Sequence, residues 1–335
     1  GDRHHLKQPK ANQLLGVKMK DYSKPVIIDC DPGVDDAAAL FLALSHKNLD
    51  IQAITTIFGN VGLQQTTTNA LKILEVARKT GVPVFKGVEK TFDYRDPIDS
   101  KNVHGNDGLG NNFFPEPPSD QLMTQHAVLA TIDLAKKFKG ELTYVALGRL
   151  TNLALAISLE PSIVNSIKEV VIMGGAINVP GNISPTASAN LFGDVHGASV
   201  VYRSGINLTQ IGLDVCNEVE ISPDNQEEIW NLKSTVSQFL EKIVPVHRSA
   251  HQIGNKIPGA ARFNDMPAVG YTIDPTLFKC ETLRIHFETL GEFTKGQTVV
   301  DPKHFVEDAQ NVNVAMKVDS EKLVKLWMDG IKSYS

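Results

Sequence analysis

Four aspartates, Asp29, Asp31, Asp35 and Asp36, fall within eight residues in the stretch Asp29-Cys-Asp-Pro-Gly-Val-Asp-Asp36. Carboxylates this close repel one another, and each disfavours ionisation of the next. Caps at the start of a helix account for one or two of them, and Asp35 is expected to be one. Asp29 and Asp31 sit earlier, at the end of an apolar run, where side chains point toward a cleft and capping has no part. A hard divalent cation resolves the repulsion, because calcium and magnesium take carboxylate oxygens as ligands. The residues alone therefore point to a metal or phosphate site.

Other residue types invite weaker readings. His247 and His251 are four apart and share one face if the segment is helical. Either could donate a proton to a leaving group, since imidazole titrates near neutral pH, and both could equally be solvated. Zinc would also suit such a pair, but the Glu of HExxH is absent. Pro245 just before them marks a helix start or break. Asn60 and Asn182 each follow a glycine, which is ordinary turn chemistry, and Asp265 could cap a helix running into Ala268. His104 lies in a loop rich in Gly and Asp.

The elements that position these groups alternate. Strands are expected at 26–30, 51–56, 82–85, 142–147, 169–173 and 207–211, with helices at 35–44 and 65–79 and further helical segments between the later strands. This is the pattern of an α/β fold: a single domain with a mostly parallel central sheet, helices on both faces and a Rossmann-like core. Such sheets bind ligands at the carboxyl ends of their strands. Two irregular stretches, 87–120 and 175–194, are long enough to be functional loops. A helical insert is expected at 223–252, then strands at 282–286, 298–300 and 313–318, and a closing helix from Ser320. The polar stretch 1–23 is set aside as an N-terminal extension, leaving 24–335 as the domain.

Composition excludes several classes. Apolar residues form 42% of the 335-residue chain and charged residues 21%, which supplies a large core. The net charge is −5 with no basic block, so a nucleic-acid partner is not expected. No apolar run approaches the roughly 18 residues of a membrane span, so none is expected in a membrane. Cys30, Cys216 and Cys280 are too few and scattered for a disulfide framework. They fit a cytoplasmic protein, and secretion after removal of a signal is the alternative.

Taken together, Asp29–Asp36, Phe58-Gly-Asn60, His104-Gly-Asn-Asp-Gly-Leu109, Leu147-Gly-Arg-Leu-Thr-Asn152, Met173-Gly-Gly-Ala176, Gly181-Asn182, Asn190 and Asn264-Asp265-Met-Pro-Ala-Val269 resemble, in order, the nucleoside hydrolase family. The resemblance runs from about residue 24 to 274. It implies Ca2+-dependent hydrolysis of the N-glycosidic bond of ribonucleosides. Asp31, Asp36, Asp265 and the Leu147 carbonyl would bind the metal, and Asp31 would be the general base on a metal-activated water. Asp35 and Asn60 would meet the ribose hydroxyls and Asn182 and Asn190 its 5′ end, with His104 bordering the base. It also implies a homo-oligomer, dimer or tetramer.

Three departures stand out. Asn264 replaces a histidine able to protonate the departing base, and an amide cannot transfer a proton at neutral pH. Ser188-Ala189-Asn190 replaces Glu-Phe-Asn beside the sugar, so Ser188 stands where a charged ribose contact is usual. Asp194-Val-His-Gly-Ala198 replaces Asp-Pro-Glu-Ala. With Asn264 in place, two routes to base departure remain. One is stacking of a purine against Trp230, with solvent protonating the base, which tilts the expectation slightly toward purines. The other is protonation by His251, with His247 beside it as a base contact. Trp327 is expected in the core. A metal-dependent nucleoside-binding protein of weak catalytic power is the alternative function. A haloacid-dehalogenase-type phosphatase fits poorly at Pro32, and no GxGxxG follows the first strand.

Overall fold

The apolar, β-branched residues of Pro-Val-Ile-Ile can be buried on both faces only in the middle of a parallel sheet. In the computed structural model, which describes residues 23–251 and 254–335, they form the central strand β1 (Lys24–Cys30). The expected N-terminal extension, 1–23, lies outside the described residues except for Ser23.

The chain continues through α1 (Val34–Ser45), β2 (Leu49–Thr56), α2 (Leu63–Ala77) and β3 (Val84–Lys86). A long loop holding only α3 (Lys101–His104) leads to α4 (Ala127–Lys137), β4 (Thr143–Ala146), α5 (Thr151–Leu159), α6 (Ile163–Ser166) and β5 (Glu169–Met173). The second irregular stretch contains α7 (Ala189–Phe192) and ends at α8 (Val195–Arg203), before β6 (Leu208–Ile211) and α9 (Leu213–Cys216). The insert is two helices, α10 (Pro223–Trp230) and α11 (Thr235–Ala250), and α12 (Met266–Ile273) follows. The tail is β7 (Phe278–Phe287), β8 (Thr298–Val300), β9 (Gln310–Val318) and α13 (Ser320–Lys332).

The strands make one nine-stranded sheet in the order β3-β2-β1-β4-β5-β6-β9-β7-β8. Pairings from β3 through β6 to β9 are parallel, whereas β7 runs antiparallel to both β9 and β8. Successive β1 residues serve opposite cores. Val26 and Ile28 pack with α1, α2, α11, α12 and α13, and Ile27 packs with α4, α5 and α8. The fold is thus the single-domain α/β architecture expected.

The strand order reverses at β1, since β2 and β3 lie on one side and β4, β5 and β6 on the other. Chains leaving the carboxyl ends of β1 and β4 diverge there and open a crevice. The Asp-rich segment leaves β1 at this point, and Leu147-Gly148-Arg149 leaves β4.

Pro245 is neither a start nor a break, because α11 begins ten residues earlier, where the Ser234 side chain accepts from the Ser237 N–H, and runs through the proline. Trp327 is buried and donates its indole N–H to the Ala38 carbonyl at 3.1 Å, as a core residue. Cys30, Cys216 and Cys280 are free thiols, and among the described residues no helix is long and apolar enough to cross a membrane.

Candidate active site

A cavity of about 740 Å3 opens at the strand-order reversal. Of the residues singled out in the sequence, Asp35, Asn60, His104, Leu147, Asn182, Asn190, His247, His251, Asn264 and Asp265 are all in its wall, from segments up to 230 residues apart. Asp31 and Asp36 lie fully buried beneath its floor.

The floor is built by the first turn of α1. Asp36, not Asp35, closes that turn, its Oδ1 accepting the Gly33 N–H at 3.1 Å. Asp35 is one position too early for that bond. Its Oδ1 accepts the Asp36 N–H at 3.2 Å and lies 3.8 Å from His104 Nε2. Asn60 fastens the turn to the β2 end. Its Nδ2 donates to the Asp31 carbonyl and to Asp36 Oδ1, both at 2.9 Å, and its backbone N–H donates to Asp31 Oδ2 at 2.8 Å. Gly59 permits this approach, because a Cβ there would lie 2.0 Å from Asp31 Oδ2. Asp29 does not face the cleft. It is buried against Thr55 and Asn152, whose side chains donate to its Oδ1 at 2.6 and 2.8 Å.

Burial makes this cluster electrostatically costly. It pushes Asp31 up to about 6 even though the Arg149 guanidinium pulls the other way, and it pushes Asp35 up to about 7, with the Asp31 charge adding to the rise. Asp36 and Asp265 are raised well above the carboxylate range by burial and then by their acidic neighbours. Asp31 Oδ1 and Asp36 Oδ2, like Asp29 Oδ2 behind them, are buried with no hydrogen-bond partner. Carboxylate oxygens left so are rare unless an ion is to be bound. Asp35, Asp36 and Asp265 can each bring one ligand atom within 4.8 Å of the others. Asp265 occupies the N-cap position of α12 but makes no capping bond, which leaves its carboxylate for the cluster. The donor set suits a hard oxygen-seeking cation.

The opposite wall is histidine-rich. His104 Nδ1 accepts the Val34 N–H at 3.0 Å, so the ring proton is on Nε2, and burial lowers its pKa to about 3. His247 is stacked on His251 with centroids 4.2 Å apart and lies 5.1 Å from the His104 ring. Burial pushes His247 well below the ordinary range and lowers His251 as well. His251 Nδ1 lies 3.0 Å from the His247 carbonyl, which can only accept, so the neutral ring presents Nε2 as a lone pair. His247 is buried and His251 half-buried at the cavity.

The rest of the wall holds amides. Asn190 Nδ2 donates to the carbonyls of Leu147 and Met173 at 2.8 and 3.0 Å, tying the ends of β4 and β5 together. Asn182 Oδ1 accepts the Ala189 N–H at 2.8 Å. The Asn264 Oδ1 is buried and unpartnered.

Two expected contacts are elsewhere. Ser188 is buried behind the wall, its Oγ accepting the Gly175 N–H at 2.8 Å, and Ala189 takes the lining position. Trp230 ends α10 and packs on the hydrophobic core beside α13, away from the cavity. Among the described residues no Phe, Tyr or Trp lines the cavity. Among the wall residues left without a role by sequence reasoning, Arg149 matters most. Arg149 is buried beside Asp31, with Nη1 3.0 Å from Asp31 Oδ2. The one available clue was a cation inside the otherwise uncharged Leu147–Asn152 segment.

Comparisons with known proteins identify the family. The family model described as inosine-uridine preferring nucleoside hydrolase matches residues 26–325. A probable uridine nucleosidase 2 of Arabidopsis thaliana is 38% identical over 315 residues, covering 91% of this chain and 97% of that protein. Among solved structures, a plant nucleoside hydrolase superposes with a TM-score of 0.87 at 31% identity over 92% of this chain and 99% of its own. A purine-preferring ribonucleoside hydrolase from Gardnerella vaginalis does so at 0.86 and 29% identity, over 92% and 98%. With acidic floor, histidine wall and strand-end crevice all in place, the chain belongs to the inosine-uridine preferring nucleoside hydrolases and is an N-glycosyl hydrolase.

Proposed function

We propose that this chain hydrolyses ribonucleosides with Ca2+ held by Asp31, Asp36, Asp265 and the Leu147 carbonyl. The observation that carries this reading is the pair of buried, unpartnered oxygens, Asp31 Oδ1 and Asp36 Oδ2, in an acidic cluster that burial alone would discharge. When bound, the cation neutralises these carboxylates and makes water easier to deprotonate. Asp31 Oδ1 faces both the cation and, through its second lone pair, the attacking water whose proton it takes, since Oδ2 is already held by the Asn60 N–H and Arg149. The sugar develops positive charge as the bond to the base breaks, and the acidic floor stabilises it. Asp35 and Asn60 border the ribose hydroxyls, and Asn182 the 5′ end.

His251 is the proposed proton donor to the leaving base, with His247, Asn264 and the fixed Nε2–H of His104 as its contacts. The tilt toward purines came from the histidine missing at Asn264, with Trp230 as the ring to stack the base, and that ring packs on the core instead. Protonation by histidine demands no purine, so the reading extends to uridine as well as inosine. A probable uridine nucleosidase among the relatives supports this breadth.

Calorimetric titration with calcium after chelation tests the metal assignment. Asp36→Asn and Asp265→Asn are each expected to weaken binding at least about tenfold, the scale of losing one ligand charge. Unchanged affinity in both would remove them from the site.

A further inference from the structure

Arg149 is the cation already in the acidic floor. It sits on the turn between β4 and α5, is itself buried, and is the partner of Asp31 at 3.0 Å. Its Nη1 also reaches Asn190 Oδ1 at 3.4 Å, and its Nη2 reaches the Ile98 carbonyl at 3.5 Å. Asp31 Oδ2 thereby has two donors, Arg149 and the Asn60 N–H. The pair is boxed in, since a Cβ at Gly59 would meet Asp31 Oδ2 at 2.0 Å and Arg149 Nη1 at 2.8 Å. Asp31 is missing from the trio Asp35, Asp36 and Asp265 whose ligand atoms converge.

We propose that Arg149 is a positioning residue that competes with the divalent cation for Asp31. The inference rests on the calcium reading above. A guanidinium on one carboxylate oxygen leaves only the other for a cation, and its charge repels an ion bound nearby. Both effects weaken cation affinity, and burial keeps solvent from screening them. A residue there only to hold the fold would have the opposite signature, because removing it would loosen the site.

The test is calcium titration of the full chain and of Arg149→Met and Arg149→Gln, each stripped with chelator, with thermal unfolding recorded alongside. Met removes charge and donors together, whereas Gln keeps an N–H for Asp31 and safeguards folding. Both variants are expected to bind calcium at least about tenfold more tightly than the unaltered protein while unfolding at lower temperature without it. Equal or weaker binding by a folded variant overturns the proposal. So does failure of both to fold even with calcium, which makes Arg149 an obligatory structural charge. If none of the three proteins binds calcium, the cation reading itself falls and takes this inference with it.

Discussion

Replacing Asn60 by alanine isolates the amide that binds the two halves of the acidic floor. The side chain makes two hydrogen bonds, to the Asp31 carbonyl and to Asp36 Oδ1, each at 2.9 Å. Without a cation, burial and its acidic neighbours favour the neutral form of Asp36, so each of the two bonds contributes about 1 kcal/mol. Asp36 Oδ1 keeps the Gly33 N–H, and water can enter from the cavity that Asn60 lines. The expected loss is therefore about 2 kcal/mol. For a chain of this size that lowers the unfolding midpoint by about 3 °C. The assay is thermal unfolding in chelator, followed by circular dichroism. Asn60→Asp should be worse, because it removes the donors and adds a carboxylate to the cluster, and calcium should recover part of the difference. A loss below about 1 kcal/mol for alanine, or equal tolerance of aspartate without cation, would refute the idea that this amide holds the floor.

Asp31→Asn is expected to lower kcat by about 10²–10⁴-fold while the circular dichroism spectrum persists; near-normal turnover would sink its role as base. Burial lowers the His251 pKa below 6.5, so its proton-donating form is scarce at pH 7 and grows as pH falls. The rate should therefore rise on going from pH 8 to 6, His251→Gln should flatten that limb, and an unaltered profile would point to another donor. His104 has a folded pKa of about 3 against 6.5 in the open chain, so the unfolded state takes up a proton that the fold refuses. Its contribution is fully present above pH 6.5 and is lost as pH falls, by up to about 1.4 kcal/mol per unit. Denaturation of the native protein and His104→Gln at pH 7 and 5 should differ in that slope; the acidic floor cancels in the comparison, and parallel slopes would contradict the burial argument.

The strand and helix beginning at Lys24 and Val34 were legible because apolar periodicity and glycine placement are local properties. The glycines of Asp29–Asp36 and Phe58–Asn60 in particular mark close approach, with Gly33 against His104 and Gly59 against Asp31. Which aspartate closes the turn was not legible, since capping depends on where the helix begins to within one residue. Nor was the insertion of β9 between β6 and β7, because pairing between distant strands leaves no trace in local pattern. Pro245 misled for the opposite reason: a local helix breaker was overridden by the burial of Phe239, Leu240, Ile243, Val244 and His247 on one face of α11. Trp230 and Ser188 were assigned from the resemblance, which does not fix side-chain direction: Ser188 turns behind the wall and Trp230 packs on the core. Arg149 went unread because its meaning lies in a contact 118 residues away.

The most direct test is release of reducing sugar from uridine, inosine, guanosine, adenosine and cytidine, with metal content measured on the same sample. The enzyme is assayed as purified, after prolonged chelation, and after calcium is returned. Cleavage that disappears with the calcium and returns with it, for uridine as well as inosine, is the predicted result. Undiminished cleavage by protein shown to contain no metal would contradict it, and the acidic floor would then need another explanation.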